Sequence, residues 1–323
     1  MTLNEFLAEW HNDNPRILVH TSGSTGKPKP LMVEKQRMLN SARITCDFLE
    51  LKPGDTALLC MPLDYIAGKM MVVRSLQRDL RLTSVHPSSH PLADDALPSF
   101  TFAAMVPMQV YHTLKQPQER ERLMRIRHLI IGGGAISDEL AQMIKPLPNA
   151  VWSTYGMTET LSHIALRRLN GPDATLWYTP FDGVGISLNA DGCLVIDAPE
   201  VCAEPLVTND IALLRTDDRT DKTLFRIKGR KDNVVCSGGI KIQIEEVEEA
   251  LRPHLQAPFM IIKKQDEVLG ERAVLLTESA DLPLIEEICR NALPKYWVPR
   301  QFLHIDRLPL TETGKPKRSG IEV

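Results

Sequence analysis

Short apolar or β-branched runs alternate with amphipathic stretches from Arg16 to about Tyr155. The apolar runs are ILVH, DTALLCM, LRLTSV, TFAAMV, HLIIGG and NAVWST. Helices are predicted between them, at about residues 35–49, 68–78, 107–115 and 137–144. This rhythm is typical of a parallel sheet covered by helices, and such sheets bind ligands beyond the carboxyl ends of their strands. We therefore predict an α/β domain whose site lies in the loops at those strand ends.

The pattern changes after this region. From Gly171 to Ile227 the chain reads as short strands separated by turn signals, which predicts a small antiparallel subdomain. Beyond GRKD, a helix, two strands, a second helix and a last strand predict a small α+β domain. The predicted organisation is a large domain over residues 1–229, a hinge at 230–232 and a small mobile C-terminal domain at 233–323.

Composition excludes several classes of function. The 323 residues carry a formal net charge of −3, so no broad basic field favours nucleic acid or an anionic membrane. No apolar run approaches the roughly 20 residues that span a bilayer, so no membrane insertion is expected. The six scattered cysteines indicate reduced thiols in a cytoplasmic protein. Thr2 and Glu5 predict a capped helix at the N-terminus, where a signal peptide would need a basic region.

The stretch HTSGSTGKPKP, His20 to Pro30, combines the residue types of a phosphate-binding loop. Its glycines allow successive N–H groups to converge on an anion, while its hydroxyls and lysines add donors and positive charge. The candidate phosphate ligands are Thr21, Ser22, Gly23, Ser24, Thr25, Gly26 and Lys29. The P-loop of ATPases is excluded, because two residues separate the glycines and Pro28 follows Lys27. A solvated polar turn is the alternative.

Two further motifs follow predicted strands. IIGGGAIS contains Gly133, Gly134 and Ala135, which suit close backbone approach to a flat ligand, although a tight strand-to-helix turn is the alternative. STYGMTET contains Tyr155, which could stack on a base. In the same motif Thr158 and Glu159 offer the hard oxygen ligands that Mg²⁺ prefers. A helix N-terminus carrying a favourable acidic residue is the alternative here.

These three stretches, in this order and spacing, resemble the adenylate-forming superfamily of acyl-CoA synthetases, luciferases and peptide-synthetase adenylation domains. Three more motifs of that family follow, TND, GRKDNVVCSGGIKIQIEEVE and PLTETGKPKR, so the resemblance runs from about residue 16 to 318. It implies that the chain binds ATP, Mg²⁺ and coenzyme A. The implied ATP ligands beyond the phosphate loop are Gly133, Gly134, Ala135, Tyr155, Gly156, Met157, Asp210 and Arg230, with Thr158 and Glu159 holding the metal.

The resemblance also implies a two-step reaction. Lys315 reaches the site while the carboxylate attacks the α-phosphorus of ATP, an approach of two anions that needs positive charge. The small domain then turns about Asp232. This movement withdraws Lys315 and presents Ser237, Gly238 and Gly239, which line the path of the thiol.

Two other segments bear on the acid that is activated. Residues 101–114, with the pattern VP-x-Q, and residues 61–76, with PL-x-Tyr-x-A-G, are similar to pocket segments of o-succinylbenzoate-CoA ligases of menaquinone biosynthesis. Tyr65 stands where those ligases usually have His. The predicted acyl-binding residues are Tyr65, Gly68, Arg74, Val106, Pro107 and Gly133. Arg74, or less favourably Lys69, could pair with a second substrate carboxylate, whereas a solvated helix surface is the alternative.

The chain also departs from the family. About twenty residues precede the phosphate loop, where most members carry a whole subdomain, so the N-terminus is predicted to be shortened. Pro30 and Pro316 replace a glycine and an aliphatic residue. The predicted function is an AMP-forming acid–CoA ligase acting on a small carboxylic acid, with o-succinylbenzoate as its acid. The alternatives are another aryl or acyl acid, transfer to a carrier-protein thiol, or a non-catalytic nucleotide-binding relative. Assembly into a homo-oligomer is left open.

Overall fold

A computed structural model describes residues 1–20, 30–134, 136–218, 220–309, 317–318 and 321. The helices are α1 (Leu3–Trp10), α2 (Lys35–Phe48), α3 (Ile66–Arg78), α4 (Pro107–Lys115), α5 (Pro117–Met124), α6 (Asp138–Ile144), α7 (Ile244–Leu251) and α8 (Leu282–Ala292). A short 3₁₀ helix occupies Lys231–Asn233.

The strands fall into four sheets. They are β1 (Arg16–His20), β2 (Pro30–Glu34), β3 (Thr56–Leu59), β4 (Arg81–Ser84), β5 (Phe102–Met105), β6 (His128–Ile131), β7 (Ala150–Gly156), β8 (His163–Arg168), β9 (Thr179–Pro180), β10 (Gly185–Leu188), β11 (Cys193–Asp197), β12 (Leu206–Thr216), β13 (Thr223–Arg230), β14 (Val234–Ser237), β15 (Ile240–Gln243), β16 (Phe259–Asp266), β17 (Gly270–Thr277) and β18 (Gln301–His304).

The main sheet has seven strands in the order β4-β3-β5-β6-β7-β8-β9. The first five run parallel, and β8 and β9 are antiparallel to their neighbours. All four residues of β5 are buried, as expected of a strand covered on both faces. The predicted α/β class is confirmed, and the carboxyl ends of β3, β5, β6 and β7 lead into the loops that carry the candidate site.

The prediction was wrong for the first strand. Arg16–His20 pairs antiparallel with Pro30–Glu34 in a separate two-stranded sheet, with His20 opposite Pro30. Its burial alternates strictly between exposed and buried residues, whereas β5 is buried throughout. Alternation is the pattern of a strand with one solvated face, so β1 does not suit the interior of a parallel sheet.

The predicted helices form close to their expected bounds. Thr2 caps α1 with the expected capping box. Helix α5 was not predicted, because its sequence PQERERLM is polar and only Glu119 and Leu123 are buried. Its start still carries a recognisable signal, since Pro117 occupies the first helical turn.

Two smaller sheets complete the fold. One has the order β10-β11-β12-β13, in the region predicted to contain short strands. The other has the order β15-β14-β17-β16, and β18 joins β17 in parallel. Helices α7 and α8 pack on this last sheet around a core that includes Val247, Leu251, Ile261 and Ile285, as the predicted α+β pattern requires.

The chain forms two compact units. The first contains residues 1–186, 196–206 and 215–225, and the second contains residues 187–195, 207–214 and 226–323. The predicted hinge at 230–232 and the mobility of the C-terminal domain stay predictions. None of the helices in the described part of the chain combines the length and the apolarity needed to cross a bilayer.

Candidate active site

The glycine loop after β6 packs tightly against its neighbours. The N–H of Gly132 donates to the carbonyl of Met105 over 3.1 Å. A Cβ at Gly132 would lie 2.5 Å from Oγ1 of Thr154, and one at Gly133, where φ is +79°, would lie 3.4 Å from Cγ1 of Val106. The structure thus brings together Gly133 and Val106, two predicted acyl-binding residues, at neighbouring strand ends.

The motif STYGMTET lies in a strand-to-strand turn. Strand β7 extends through Gly156 and β8 begins at His163, so the predicted alternative, a helix N-terminus, is wrong. The hydroxyl of Thr160 accepts the N–H of Met157 at 3.0 Å and reaches the carbonyl of Ser162 at 2.6 Å. Leu161 takes a φ of +63°. These bonds stabilise the turn between β7 and β8, which run antiparallel.

Gly156 and Glu159 are exposed, and Thr158 is buried. A Cβ at Gly156 would lie 2.3 Å from the carbonyl oxygen of Ser162, so only glycine fits this position. Among the described residues, no three His, Cys, Asp or Glu side chains form a metal cluster. Mg²⁺ usually takes one or two protein carboxylates and completes its shell with water and substrate phosphates. The predicted pair, Thr158 and Glu159, therefore fits a magnesium ion that arrives with a nucleotide.

Tyr155 belongs to an aromatic cluster that the sequence did not reveal. The centre of its ring lies 5.0 Å from the centre of the Phe225 ring, edge to face, and 5.7 Å from the centre of the Tyr178 ring. The rings of Tyr178 and Phe225 stack at 5.3 Å, and the hydroxyl of Tyr178 lies 2.9 Å from Ser153 Oγ. Packing on two rings restricts the orientation of Tyr155. Its predicted stacking on a base stays a prediction.

The loop from β5 into α4 is held by Gln109, which we did not predict as a site residue. Its Oε1 accepts the N–H of Val106 at 3.1 Å, and its Nε2 donates to the carbonyls of Cys60 and Ser88 at 3.0 and 2.9 Å. Gln109 is 4% exposed. The fixed spacing in VP-x-Q was the available signal, since it places the glutamine one helical turn after Val106.

Pro107 lines a cavity of about 170 Å³ between the starts of α4 and α6. The other lining residues are Met108, Tyr111, Ser137 and Leu140. Ligand pockets for drug-sized molecules usually enclose about 300–1,000 Å³. This cavity could therefore hold only part of a substrate.

Tyr65 and Gly68 lie where α3 begins. Tyr65 immediately precedes the helix and is 42% exposed. A Cβ at Gly68 would lie 2.2 Å from the carbonyl oxygen of Pro62. Glycine at this position lets the first turn of α3 pack directly on the loop that follows β3.

Arg74 lies on α3 and is only 2% exposed. Its NH2 group donates to Ser162 Oγ at 2.5 Å, and its NH1 group lies 3.9 Å from the sulfur of Met71. No partner for its Nε is found among the described residues. Burial lowers the pKa of Arg74 to about 10. The alternative of a solvated surface arginine is therefore wrong.

Lys69, the other basic candidate, is engaged elsewhere. Its Nζ donates to the carbonyl of Leu18 at 2.7 Å and lies 5.8 Å from the centre of the Phe6 ring. Burial lowers its pKa. These contacts connect α3 to the N-terminal elements of the first unit.

In the second unit, the predicted ribose and hinge residues come together. Arg230 donates from NH1 to Oδ1 of Asp210 at 3.2 Å and from NH2 to Oδ2 of Asp232 at 3.0 Å. The side chain of Asp210 is 15% exposed and that of Arg230 is 38% exposed. The guanidinium of Arg230 thus contacts two carboxylates that are twenty-two residues apart in the sequence.

Glu245 and Gln243 hold this segment in place, and neither was predicted. Glu245 Oε1 accepts the N–H of Arg230 at 3.3 Å and the side-chain amide of Asn233 at 2.5 Å. Gln243 Nε2 donates to the carbonyl of Arg230 at 3.0 Å and to Glu245 Oε2. A Cβ at Gly229 would lie 2.5 Å from both side chains, so this glycine permits the contact.

Ser237, Gly238 and Gly239 form the tip of a hairpin. Ser237 pairs with Ile240 across β14 and β15, and Gly238 and Gly239 form the two-residue turn with φ of +56° and +83°. Positive φ at both central residues is the geometry of a type I′ turn, which glycine adopts without strain. The predicted thiol-binding loop is therefore a tight glycine turn.

Several predicted residues lie outside the described part of the chain. They are Thr21, Ser22, Gly23, Ser24, Thr25, Gly26, Lys29, Ala135 and Lys315. The predicted roles of these residues stay predictions.

Residues 4–203 match the family model described as AMP-binding enzyme. This chain belongs to the AMP-binding enzyme family. The predicted membership of the adenylate-forming superfamily is confirmed.

Two curated relatives are similar over most of the chain. The 2-succinylbenzoate–CoA ligase of Salmonella typhimurium is 28% identical over 333 residues, covering 98% of this chain and 69% of the relative. The ligase of the same name from Haemophilus influenzae is 28% identical over 284 residues, covering 82% of this chain and 59% of the relative. Together with the family match, these names support the predicted enzyme class, an AMP-forming acid–thiol ligase.

Solved structures share the fold. An acyl-CoA synthetase (AMP-forming)/AMP-acid ligase II-like protein from Dyadobacter fermentans is 33% identical with a TM-score of 0.68, over 97% of this chain and 91% of that chain. The o-succinylbenzoate coenzyme A synthetase from Bacillus subtilis, in complex with ATP and magnesium ion, has a TM-score of 0.74 at 22% identity. That match covers 94% of this chain and 69% of that chain, and it supports the fold alone.

Proposed function

We propose that this chain is an ATP- and Mg²⁺-dependent acid–CoA ligase that activates o-succinylbenzoate through an acyl-adenylate. Family membership and the names of the curated relatives support the chemistry. The choice of a dicarboxylic acid rests on Arg74. Its guanidinium is buried, and its contacts among the described residues are to a hydroxyl and a sulfur, with no carboxylate. A buried arginine without a carboxylate suits a ligand that brings one.

Different residues of the first unit would then contact different parts of the acid and the nucleotide. Arg74 binds the carboxylate that does not react, and Val106, Pro107, Tyr65, Gly68 and Gly133 surround the acyl group. Gly134, Gly156 and Met157 present backbone to the nucleotide, and Tyr155 stacks on its base. Thr158 and Glu159 would hold Mg²⁺, which when bound neutralises phosphate charge.

Adenylation requires a carboxylate to approach the α-phosphorus, so positive charge must be supplied at that point. We assign this role to Lys315, and we assign the departing pyrophosphate to the loop from Thr21 to Lys29. Asp210 and Arg230 bind the ribose. Ser237, Gly238 and Gly239 receive the thiol of coenzyme A after a rotation about Asp232.

The test is pyrophosphate release from ATP and Mg²⁺ across a panel of acids, each with and without coenzyme A. Release with o-succinylbenzoate and formation of its CoA thioester would support the proposal. Release only with another acid would keep the ligase and replace its acid. Adenylate formation without acylation of coenzyme A would favour a carrier-protein thiol. If none of the acids leads to pyrophosphate release, the result would favour a non-catalytic nucleotide-binding protein.

A further inference from the structure

Arg74 is the first member of a chain of polar side chains that are buried, apart from the half-buried Ser162. Its NH2 group lies 2.5 Å from Ser162 Oγ, which lies 3.2 Å from Nδ1 of His163. The other ring nitrogen of His163, Nε2, lies 3.1 Å from Thr45 Oγ1, and Thr45 donates to the carbonyl of Ser41 at 3.1 Å. Thr45 and His163 are separated by 118 residues, so the contact joins α2 to β8.

The two ends of this chain determine the direction of the hydrogen bonds made by Arg74 and by Thr45. A guanidinium can only donate, so Ser162 Oγ accepts from Arg74 and its own proton is free for Nδ1 of His163. A carbonyl can only accept, so the hydroxyl of Thr45 donates to Ser41 and its oxygen accepts from Nε2. Nε2 must therefore carry a proton. Ser162 Oγ has two lone pairs, so these contacts admit either a neutral ring protonated on Nε2 or a charged ring. Burial and the nearby charge of Arg74 both lower the pKa of His163, which favours the neutral ring.

We infer that His163 is a positioning residue for the substrate carboxylate on Arg74. By accepting the proton of Ser162, it keeps the lone pair of that hydroxyl directed at the guanidinium and fixes the rotamer of Arg74. The remaining donors of Arg74 are then held ready for a carboxylate. This inference rests on the proposed function, because it assumes that Arg74 binds the second carboxylate of the acid.

Ser162 also connects this chain to the candidate nucleotide site. Its carbonyl oxygen accepts from Thr160 and lies against Gly156, where a Cβ would come within 2.3 Å. The turn that carries Thr158 and Glu159 therefore shares a residue with the polar chain. A change at His163 is expected to act on the acid more than on the nucleotide, because the ring contacts the side chain of Ser162, whereas Gly156 packs against the backbone of His163.

The experiment compares two acids on one skeleton, o-succinylbenzoate and 4-oxo-4-phenylbutanoate, which lacks the ring carboxylate. In His163→Leu we expect the KM for the diacid to rise about fivefold, the loss expected for one hydrogen bond, while the KM for the monoacid stays within twofold of its wild-type value. His163→Gln retains an acceptor and a donor and is expected to restore the diacid KM. His128→Leu is the matched control, because His128 is a half-buried histidine of the first unit whose ring nitrogens are inaccessible and whose pKa is lowered to about 4.

Equal increases in both KM values, or no change in the diacid KM, would overturn the inference while leaving the ligase intact. A second measurement does not depend on activity. Nitrogen-15 spectra of the histidine rings are expected to show His163 as the neutral Nε2–H tautomer at pH 7. The Nδ1–H tautomer or a charged ring would overturn the inference even if the acid panel supported the proposed function. Conversely, the expected tautomer together with no pyrophosphate release from any acid would refute the proposed function, and with it the role of His163 in binding the acid.

Discussion

Replacing Arg74 with methionine is expected to stabilise the fold while weakening the binding of a dicarboxylic acid. Burial lowers the pKa of Arg74 from its ordinary value to about 10. At about 1.4 kcal/mol for each pKa unit, burying this charge destabilises the folded state by roughly 3 kcal/mol. The unfolded chain binds the proton more tightly, so this loss is fully present at pH 7 and is relieved only as the pH rises above about 10.

Methionine has a similar length and fills irregular spaces, so Arg74→Met removes the charge without leaving a large cavity. Ser162 loses one donor, which we estimate at about 1 kcal/mol, but it keeps its contact with His163. The net expectation is a rise of about 1–2 kcal/mol in the free energy of unfolding. Replacement of buried ion pairs by apolar residues of similar volume is often neutral or stabilising.

The assay is urea denaturation at pH 7, followed by fluorescence, with the slope of the transition checked for constancy. Arg125→Met is the control, because the side chain of Arg125 is 59% exposed and pairs only with the exposed Glu121 among the described residues. Its effect should stay within about 0.5 kcal/mol. A loss of more than about 1 kcal/mol in Arg74→Met would refute the reasoning, since Arg74 would then be a structural contact.

The same experiment with ligand separates stability from binding. A diacid at ten times its Kd should add about 1.4 kcal/mol to the wild-type protein, by RT ln(1 + [L]/Kd). It should add much less to Arg74→Met. Equal stabilisation of both proteins would remove Arg74 from the acid site.

Two further predictions concern the C-terminal part of the chain. Glu248 pairs with Arg318 at 2.5 Å and accepts the N–H of Ile261 at 2.7 Å, and its side chain is 8% exposed. Because Glu248→Ala leaves the charge of Arg318 without this partner, it should lower the free energy of unfolding by about 3–5 kcal/mol. Urea denaturation tests this, with Glu246→Ala, from a more exposed pair, expected to lose less than about 1 kcal/mol; a loss in Glu248→Ala no larger than in this control would contradict the argument. Lys315→Ala should abolish acyl-adenylate formation while sparing thioester formation from supplied acyl-adenylate, as measured in separate half-reactions. Equal loss of both would count against a lysine that acts in adenylation alone.

Much of the fold could be predicted because each strand of the main sheet has a local pattern. The fully buried run Phe102–Met105 reads as a covered strand, and Pro107 marks the start of the next helix. The partner of a strand has no such local signature. Arg16–His20 was therefore assigned to the wrong sheet, because Ile17, Leu18 and Val19 read as a continuous apolar run, and the exposure of Leu18 is seen only in the structure.

The candidate site divides in the same way. Motif residues that follow one another, such as Gly133 and Gly134, could be predicted from the run of glycines after a strand, and the positive φ of Gly133 is a local reason for glycine there. The residues that hold them come from distant parts of the chain. Thr45 meets His163 across 118 residues, and Phe225 meets Tyr155 across the fold of the first unit. Only tertiary packing brings such pairs together, and neither residue alone has a pattern that indicates its partner.

The contacts of Glu245 carry a kinetic consequence. This carboxylate holds Arg230 and Asn233, the residues on either side of the segment that contains Asp232. A large change in the backbone torsions of Asp232 turns these two residues relative to each other, so it breaks at least one bond to Glu245. A hydrogen bond to a charged group contributes about 1.5–3 kcal/mol. If the bond breaks before the new conformation forms, Glu245 slows that torsional change by roughly 10- to 100-fold.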